Sequence, residues 1–260
     1  MQITAFLSAV AALGAAGAAA APTVYLCGDS TMAAKGANDG STDGWGQYFA
    51  KYTTGTAAVV NRAMGGRSAR SYTKEGRFND VANLVKTGDI VVIEFGHNDG
   101  GSPQQERQRP LRLPGHGQGG LLLGQDGRGR LHVRLLRGAG GQDVRRPRRH
   151  RRPELADAQQ PLGGRQVRRR GPRFVGYQAT AARQMGNAGV TFVDHFQAVA
   201  NSYKRLGNAG TNALYPKDHT HTSPAGADLS AQAFAQAIAT SMNGTTALKN
   251  YIVANYPRPY

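Results

Sequence analysis

Four polar clusters hold the residues of this sequence that suit covalent chemistry: Gly28-Asp29-Ser30, Gly65-Gly66-Arg67-Ser68, Gly96-His97-Asn98-Asp99 and Asp218-His219-Thr220-His221. A serine hydroxyl is a weak nucleophile near neutral pH and needs a base within hydrogen-bond reach, commonly an imidazole oriented by a carboxylate. Ser30, His221 and Asp218 supply those three types from opposite ends of the chain. Each cluster also has a plainer reading. Asp and Ser close turns and cap helices, so Gly28-Asp29-Ser30 alone is a capped turn. Gly65-Gly66 alone is a turn, and Asn98 alone a cap. The segment Asp218–His221 has metal-binding residue types, but no third set of Cys or His ligands stands at metal-site spacing, which argues against a metal. Taken together, glycine-marked polar clusters at successive strand ends and an Asp and His opening the last helix favour a reactive site.

The elements between the clusters alternate. Thr23–Cys27, Ala57–Ala63 and Asp89–Phe95 are apolar, strand-like runs that end near Gly28, Gly65 and Gly96. Trp45–Tyr52, Asp80–Lys86, Phe174–Gly189, His195–Leu206 and Pro224–Ser241 have helical spacing, and Val190–Asp194 reads as a further strand. Strands alternating with helices predict an α/β domain, a mostly parallel sheet covered on both faces. In such sheets the site lies outside the carboxyl ends of the strands, where the first three clusters fall.

At 260 residues the chain fits one domain, 21–260. Met1–Ala20 has no Lys or Arg, an apolar run and small residues at its end, the pattern of a secretory signal peptide; it is too Ala-rich and too short in its apolar part for a membrane span. The expected location is therefore extracellular. Yet Cys27 is the only cysteine, so no disulfide closes within the chain.

The formal charge of +16 invites a nucleic-acid reading until its position is considered. Residues Pro103–Arg173 hold 18 Arg, no Lys and 5 acids, and so carry +13 of it. All 71 residues of that block come from ten types: Leu, Pro, His, Gln, Arg, Val, Ala, Asp, Glu and Gly. Those are the amino acids encoded by codons beginning with C or G. Nothing in folding selects Arg while dropping Lys, or Val while dropping Ile. A frame error in a gene rich in G and C at third codon positions does. We therefore read about 103–170 as an out-of-frame translation. The competing reading, a disordered nucleic-acid-binding insert, lacks aromatics to stack on bases and conflicts with export.

The strings GDSTM (Gly28–Met32), NRAMGGRSARSYTKEGRF (Asn61–Phe78), EFGHNDGG (Glu94–Gly101) and DHTHTSPAGA (Asp218–Ala227) resemble the four blocks of the SGNH, or GDSL-type, hydrolases. More narrowly they resemble the fungal rhamnogalacturonan acetylesterases, over Thr23–Ser102 and Pro172 to about Ser241. The resemblance implies a three-layer, flavodoxin-like α/β fold and a secreted monomeric serine esterase that removes acetyl groups from rhamnogalacturonan in pectin. It implies no metal, cofactor, nucleic acid or membrane partner. Ser30 would be the nucleophile, His221 the base and Asp218 its orienting carboxylate. The backbone N–H groups of Ser30 and Gly66 and the amide of Asn98 would form the oxyanion hole. Asp29 would tether the nucleophile turn, while His97 and His219 would hold their loops. The family's C-terminal disulfide has no counterpart after Cys27. Another SGNH esterase, acting on xylan or small acetyl esters, is the alternative substrate reading. Asn243-Gly244-Thr245 is a glycosylation acceptor pattern.

Overall fold

The computed structural model describes residues 21–99, 121–125, 131–135, 173–185 and 189–260. Met1–Ala20, the expected signal peptide, lies outside them, as does the Arg-rich block at 103–170 apart from the backbone of two short strands.

A parallel sheet forms the centre, with β1 (Thr23–Gly28) between β2 (Ala58–Asn61) and β3 (Ile90–Glu94). β1 is apolar throughout because it is covered on both faces. Its side chains alternate, as the pleat requires. Val24 and Leu26 join Trp45, Phe49, Phe234 and Ile238 on one face, where α5 (Pro224–Ala239) lies. Tyr25 and Cys27 join Tyr72, Phe78 and Val81 on the other, beneath α1 (Ala69–Lys74) and α2 (Arg77–Ala82). The result is helix, sheet, helix in three layers. α4 (His195–Ala213) packs on the outside of α5 through Ala198, Ala233 and Ala237. α3 (Arg173–Met185) reaches the sheet end, where Gln178 donates to the Phe95 carbonyl. Within the Arg-rich block, β4 (Leu121–Gln125) and β5 (Leu131–Leu135) pair antiparallel.

Several elements differ from the pattern-based expectation. Val190–Asp194 belongs to no strand: among the described residues β3 pairs only with β1, and this segment joins neither sheet. Its polar groups bond the 243–245 loop instead: Thr191 donates to the Thr245 carbonyl, and the Asp194 N–H to Asn243 Oδ1. Trp45–Tyr52 is not one α-helix but two 3₁₀ turns, Trp45–Gln47 and Phe49–Tyr52. The N–H groups of Trp45 and Gly46 donate to the Thr31 and Met32 carbonyls, while those of Gln47, Tyr48 and Lys51 reach carbonyls three residues back, which winds the segment as tight 3₁₀ turns against the Ser30 turn. α1 was not apparent from periodicity; it is nucleated by a capping box in which Ser68 and Ser71 satisfy each other's backbone N–H groups. Gly76, at φ 74, then turns the chain into α2, which ends at Ala82 and not at Lys86. α4 continues past Leu206 to Ala213 across a break at Gly207. No helix among the described residues is long and apolar enough to cross a membrane.

Candidate active site

The sharp turn after β1 exists because Asp29 organises it. Its Oδ1 accepts from the Thr31 N–H at 3.0 Å and the Thr31 hydroxyl at 2.8 Å, while its carbonyl accepts from Met32 and Ala33. Asp29 is 1% exposed. Burial pushes its carboxyl above the ordinary range, against the pull of His97 and the Thr31 donors. Ser30 is thereby held at the tip of the turn.

Ser30 and the His221 loop are 191 residues apart in sequence but meet in space: His221 Nε2 stands 2.9 Å from Ser30 Oγ. His221 Nδ1 is 2.7 Å from Asp218 Oδ2. The other carboxylate oxygen, Oδ1, accepts from the backbone N–H groups of Thr220 and His221, each at 2.7 Å. One carboxylate therefore fixes both the loop and the ring. Burial alone would raise the Asp218 pKa, but these donors outweigh it and hold the carboxyl below its ordinary value. The loop is braced from outside as well. Asp43 and Thr222 form an antiparallel bridge, and Lys217 contacts the carbonyl and carboxylate of Asp39. α5 begins directly after, with Ser223 as its cap and Pro224 in its first turn.

The second and third clusters line the same rim. A Cβ added to Gly65 would lie 3.7 Å from Ser30 Cβ, so this glycine runs against Ser30. Gly66 has φ +75, a conformation that favours glycine. Asn98 donates its amide to the Arg67 carbonyl at 3.1 Å, tying the third loop to the second. Asp99 accepts the Ala69 N–H with both oxygens and so closes the first turn of α1. The structure thus gathers Ser30, His221 and Asp218 into one hydrogen-bonded chain and sets Gly65 against Ser30. Among the described residues no cluster of three or more His, Cys, Asp or Glu could hold a metal ion.

Sequence patterning missed a second, partly buried network behind the rim. Glu94, at the end of β3, accepts from the Trp45 indole at 3.0 Å through Oε1, and its Oε2 lies 2.7 Å from His195 Nδ1. His195 Nε2 lies 2.9 Å from the Ser230 carbonyl in α5. The only hint in the sequence is an acid closing an otherwise apolar strand.

A chain with this sheet, this turn and this rim falls in a defined class. It matches the GDSL-like lipase/acylhydrolase family over residues 26–229 and belongs to that family of acyl hydrolases. Among its relatives is a rhamnogalacturonan acetylesterase of Emericella nidulans, 38% identical over 235 residues that cover 86% of this chain and 87% of the relative. The rhamnogalacturonan acetylesterase RhgT of Bacillus subtilis is 40% identical over a shorter stretch, 29% of this chain and 33% of that protein. In fold the chain is similar to the crystal structure of YxiM from Bacillus subtilis, with a TM-score of 0.52 at 18% identity, covering 85% of this chain and 57% of that one.

Proposed function

We propose that this chain is a secreted serine esterase that removes acetyl groups from rhamnogalacturonan, with Ser30 as nucleophile, His221 as base and Asp218 as its orienting partner. The observation that carries the reading is the unbroken chain from Ser30 Oγ to His221 Nε2 at 2.9 Å and from His221 Nδ1 to Asp218 at 2.7 Å. Similarity to one acetylesterase over most of the chain's length supports the substrate class, and the apolar leader supports export.

In the proposed reaction, Ser30 Oγ attacks the acetyl carbonyl carbon while its proton passes to His221 Nε2. The carbonyl π pair moves onto oxygen. The backbone N–H groups of Ser30 and Gly66 and an Asn98 amide hydrogen receive that oxyanion; Asn98 Nδ2 carries two hydrogens, one of them used on Arg67. Each such donor lowers the barrier by about 3 kcal/mol. Asp218 keeps the Nδ1–H tautomer and stabilises the imidazolium. When the tetrahedral intermediate collapses, the C–O bond to the sugar breaks and His221 returns the proton to the departing hydroxyl. Water then repeats the sequence on the acetyl-serine and releases acetate.

The test is acetate release from acetylated rhamnogalacturonan, acetylated xylan and 4-nitrophenyl acetate by the full chain in its transcript-verified frame. We expect release from all simple esters, preference for the pectic polymer, and loss of all activity in Ser30→Ala. Near-full activity in that variant overturns the assignment. Preference for xylan overturns the substrate and leaves the chemistry.

A further inference from the structure

We infer that Glu94 and His195 are positioning residues for the esterase site: a partly buried carboxylate–imidazolium contact that locks the turn carrying Ser30 to the helix that follows the His221 loop. The inference rests on the esterase reading and adds to it two residues outside the Ser30–His221–Asp218 chain.

The geometry and the charge state of Glu94 together set the protonation of the ring. His195 Nδ1 faces Glu94 Oε2 at 2.7 Å and Nε2 faces the Ser230 carbonyl at 2.9 Å. A backbone carbonyl only accepts, and so does an ionised carboxylate, so each ring nitrogen must bring a hydrogen. With Glu94 ionised, the ring is the imidazolium. The side chain is 9% exposed, and burial by itself would lower its pKa. The Glu94 charge and the two hydrogen bonds reverse that and leave it raised. Glu94 shows the counterpart: burial works to raise it, and His195, Trp45 and His97 bring it below the ordinary carboxylate value. The other charges facing the pair are Asp29 from the nucleophile turn and Asp194 beside His195.

The connectivity gives the pair its role. On one side, the Trp45 indole donates to Glu94 while the Trp45 and Gly46 N–H groups hold the Thr31 and Met32 carbonyls, immediately after Ser30. Glu94 also pairs with Gly28 across the sheet, two residues before Ser30. On the other side, His195 bonds Ser230 in α5, whose capped first turn follows His221 by two residues. The His195 ring packs against both Trp45 and Phe234, at 5.0 and 4.9 Å, and those two rings lie 4.8 Å from each other. A buried ion pair is rarely needed for stability alone, since apolar residues of similar volume serve as well. Its directional bonds, however, fix the spacing of the two elements that bring Ser30 Oγ and His221 Nε2 together. A misplacement of about 1 Å costs roughly a hundredfold in rate.

The experiment compares the unaltered chain with His195→Gln and Glu94→Gln, using 4-nitrophenyl acetate hydrolysis, thermal unfolding and imidazole ¹⁵N NMR across pH. We expect both variants to remain folded at the assay temperature, with kcat at least tenfold lower and KM within twofold. In the unaltered chain, both His195 nitrogens are protonated at neutral pH, and kcat falls on the alkaline side at the pH where the second proton is lost. In Glu94→Gln that fall moves to lower pH. Should the variants not fold, the unaltered chain still decides. A neutral His195 at pH 7, or a kcat that stays flat while His195 loses its second proton, overturns the inference, as do folded variants with full kcat. The underlying esterase reading stands or falls separately, on whether the unaltered chain hydrolyses the ester and Ser30→Ala does not.

Discussion

Asp218→Asn is the conservative substitution with the least conservative expected effect. Asp218 Oδ1 accepts two backbone N–H groups, from Thr220 and His221, and Oδ2 faces the imidazole. An asparagine at this position has one oxygen. The two backbone donors claim it, which leaves the NH₂ group pointing at His221 Nδ1. That nitrogen must then accept, so the ring proton moves to Nε2, where it faces Ser30 Oγ and blocks proton removal. For a fully buried carboxylate, enforcing the wrong tautomer costs about 10⁴ in kcat. Asp218 keeps 46% of its side-chain surface exposed, so water eases the loss of charge but not the tautomer. We expect about a thousandfold fall in kcat, equivalent to roughly 4 kcal/mol of barrier. Stability should hardly change, because the loop keeps both backbone bonds. Initial rates of acetate release alongside a thermal melt check both halves. Activity within tenfold of the unaltered chain, in a folded protein, refutes the tautomer argument.

Other outcomes follow from the same structure. A Cβ at Gly44 would lie 2.3 Å from the Ala33 carbonyl oxygen and 2.4 Å from the Met32 carbonyl carbon, both backbone. Gly44→Ala should therefore lose at least about 3 kcal/mol in urea unfolding, and an unchanged midpoint contradicts the packing described. The Glu94–His195 pair should stabilise the fold most between the two unfolded pKa values, 4.5 and 6.5. Glu94, lowered on folding, loses its contribution as pH falls through its folded pKa; His195, raised on folding, loses its own as pH rises through its folded pKa. The difference in melting temperature between the unaltered chain and Glu94→Gln should accordingly peak in that window, and a difference that grows steadily toward alkaline pH counts against the pair. Sequencing the transcript across 103–170 should reveal an intron boundary or indel, and an uninterrupted frame removes the frame-error reading.

What was legible in the sequence was what local pattern encodes. The strands at Thr23–Gly28 and Ile90–Glu94 are apolar because two faces are covered, and their ends are marked by glycine, so both could be read from a short window. The Asp218–His221 geometry lies within one loop and follows from its spacing. The Glu94–His195 contact joins residues 101 positions apart, and neither periodicity nor charge patterning carries that information. The Trp45 segment has helical side-chain spacing, but that spacing does not distinguish an α-helix from the i→i−3 turns the segment forms. Val190–Asp194 has strand composition, but pairing depends on a neighbour that composition does not supply.

The most direct measurement is covalent trapping. The folded chain is treated with a fluorophosphonate, digested, and the modified peptide sequenced by mass spectrometry. Attack by Ser30, activated by His221, predicts a single adduct on the peptide carrying Ser30, formed in step with loss of acetate release and absent in His221→Ala. A chain that releases acetate yet carries its adduct on another residue contradicts the account.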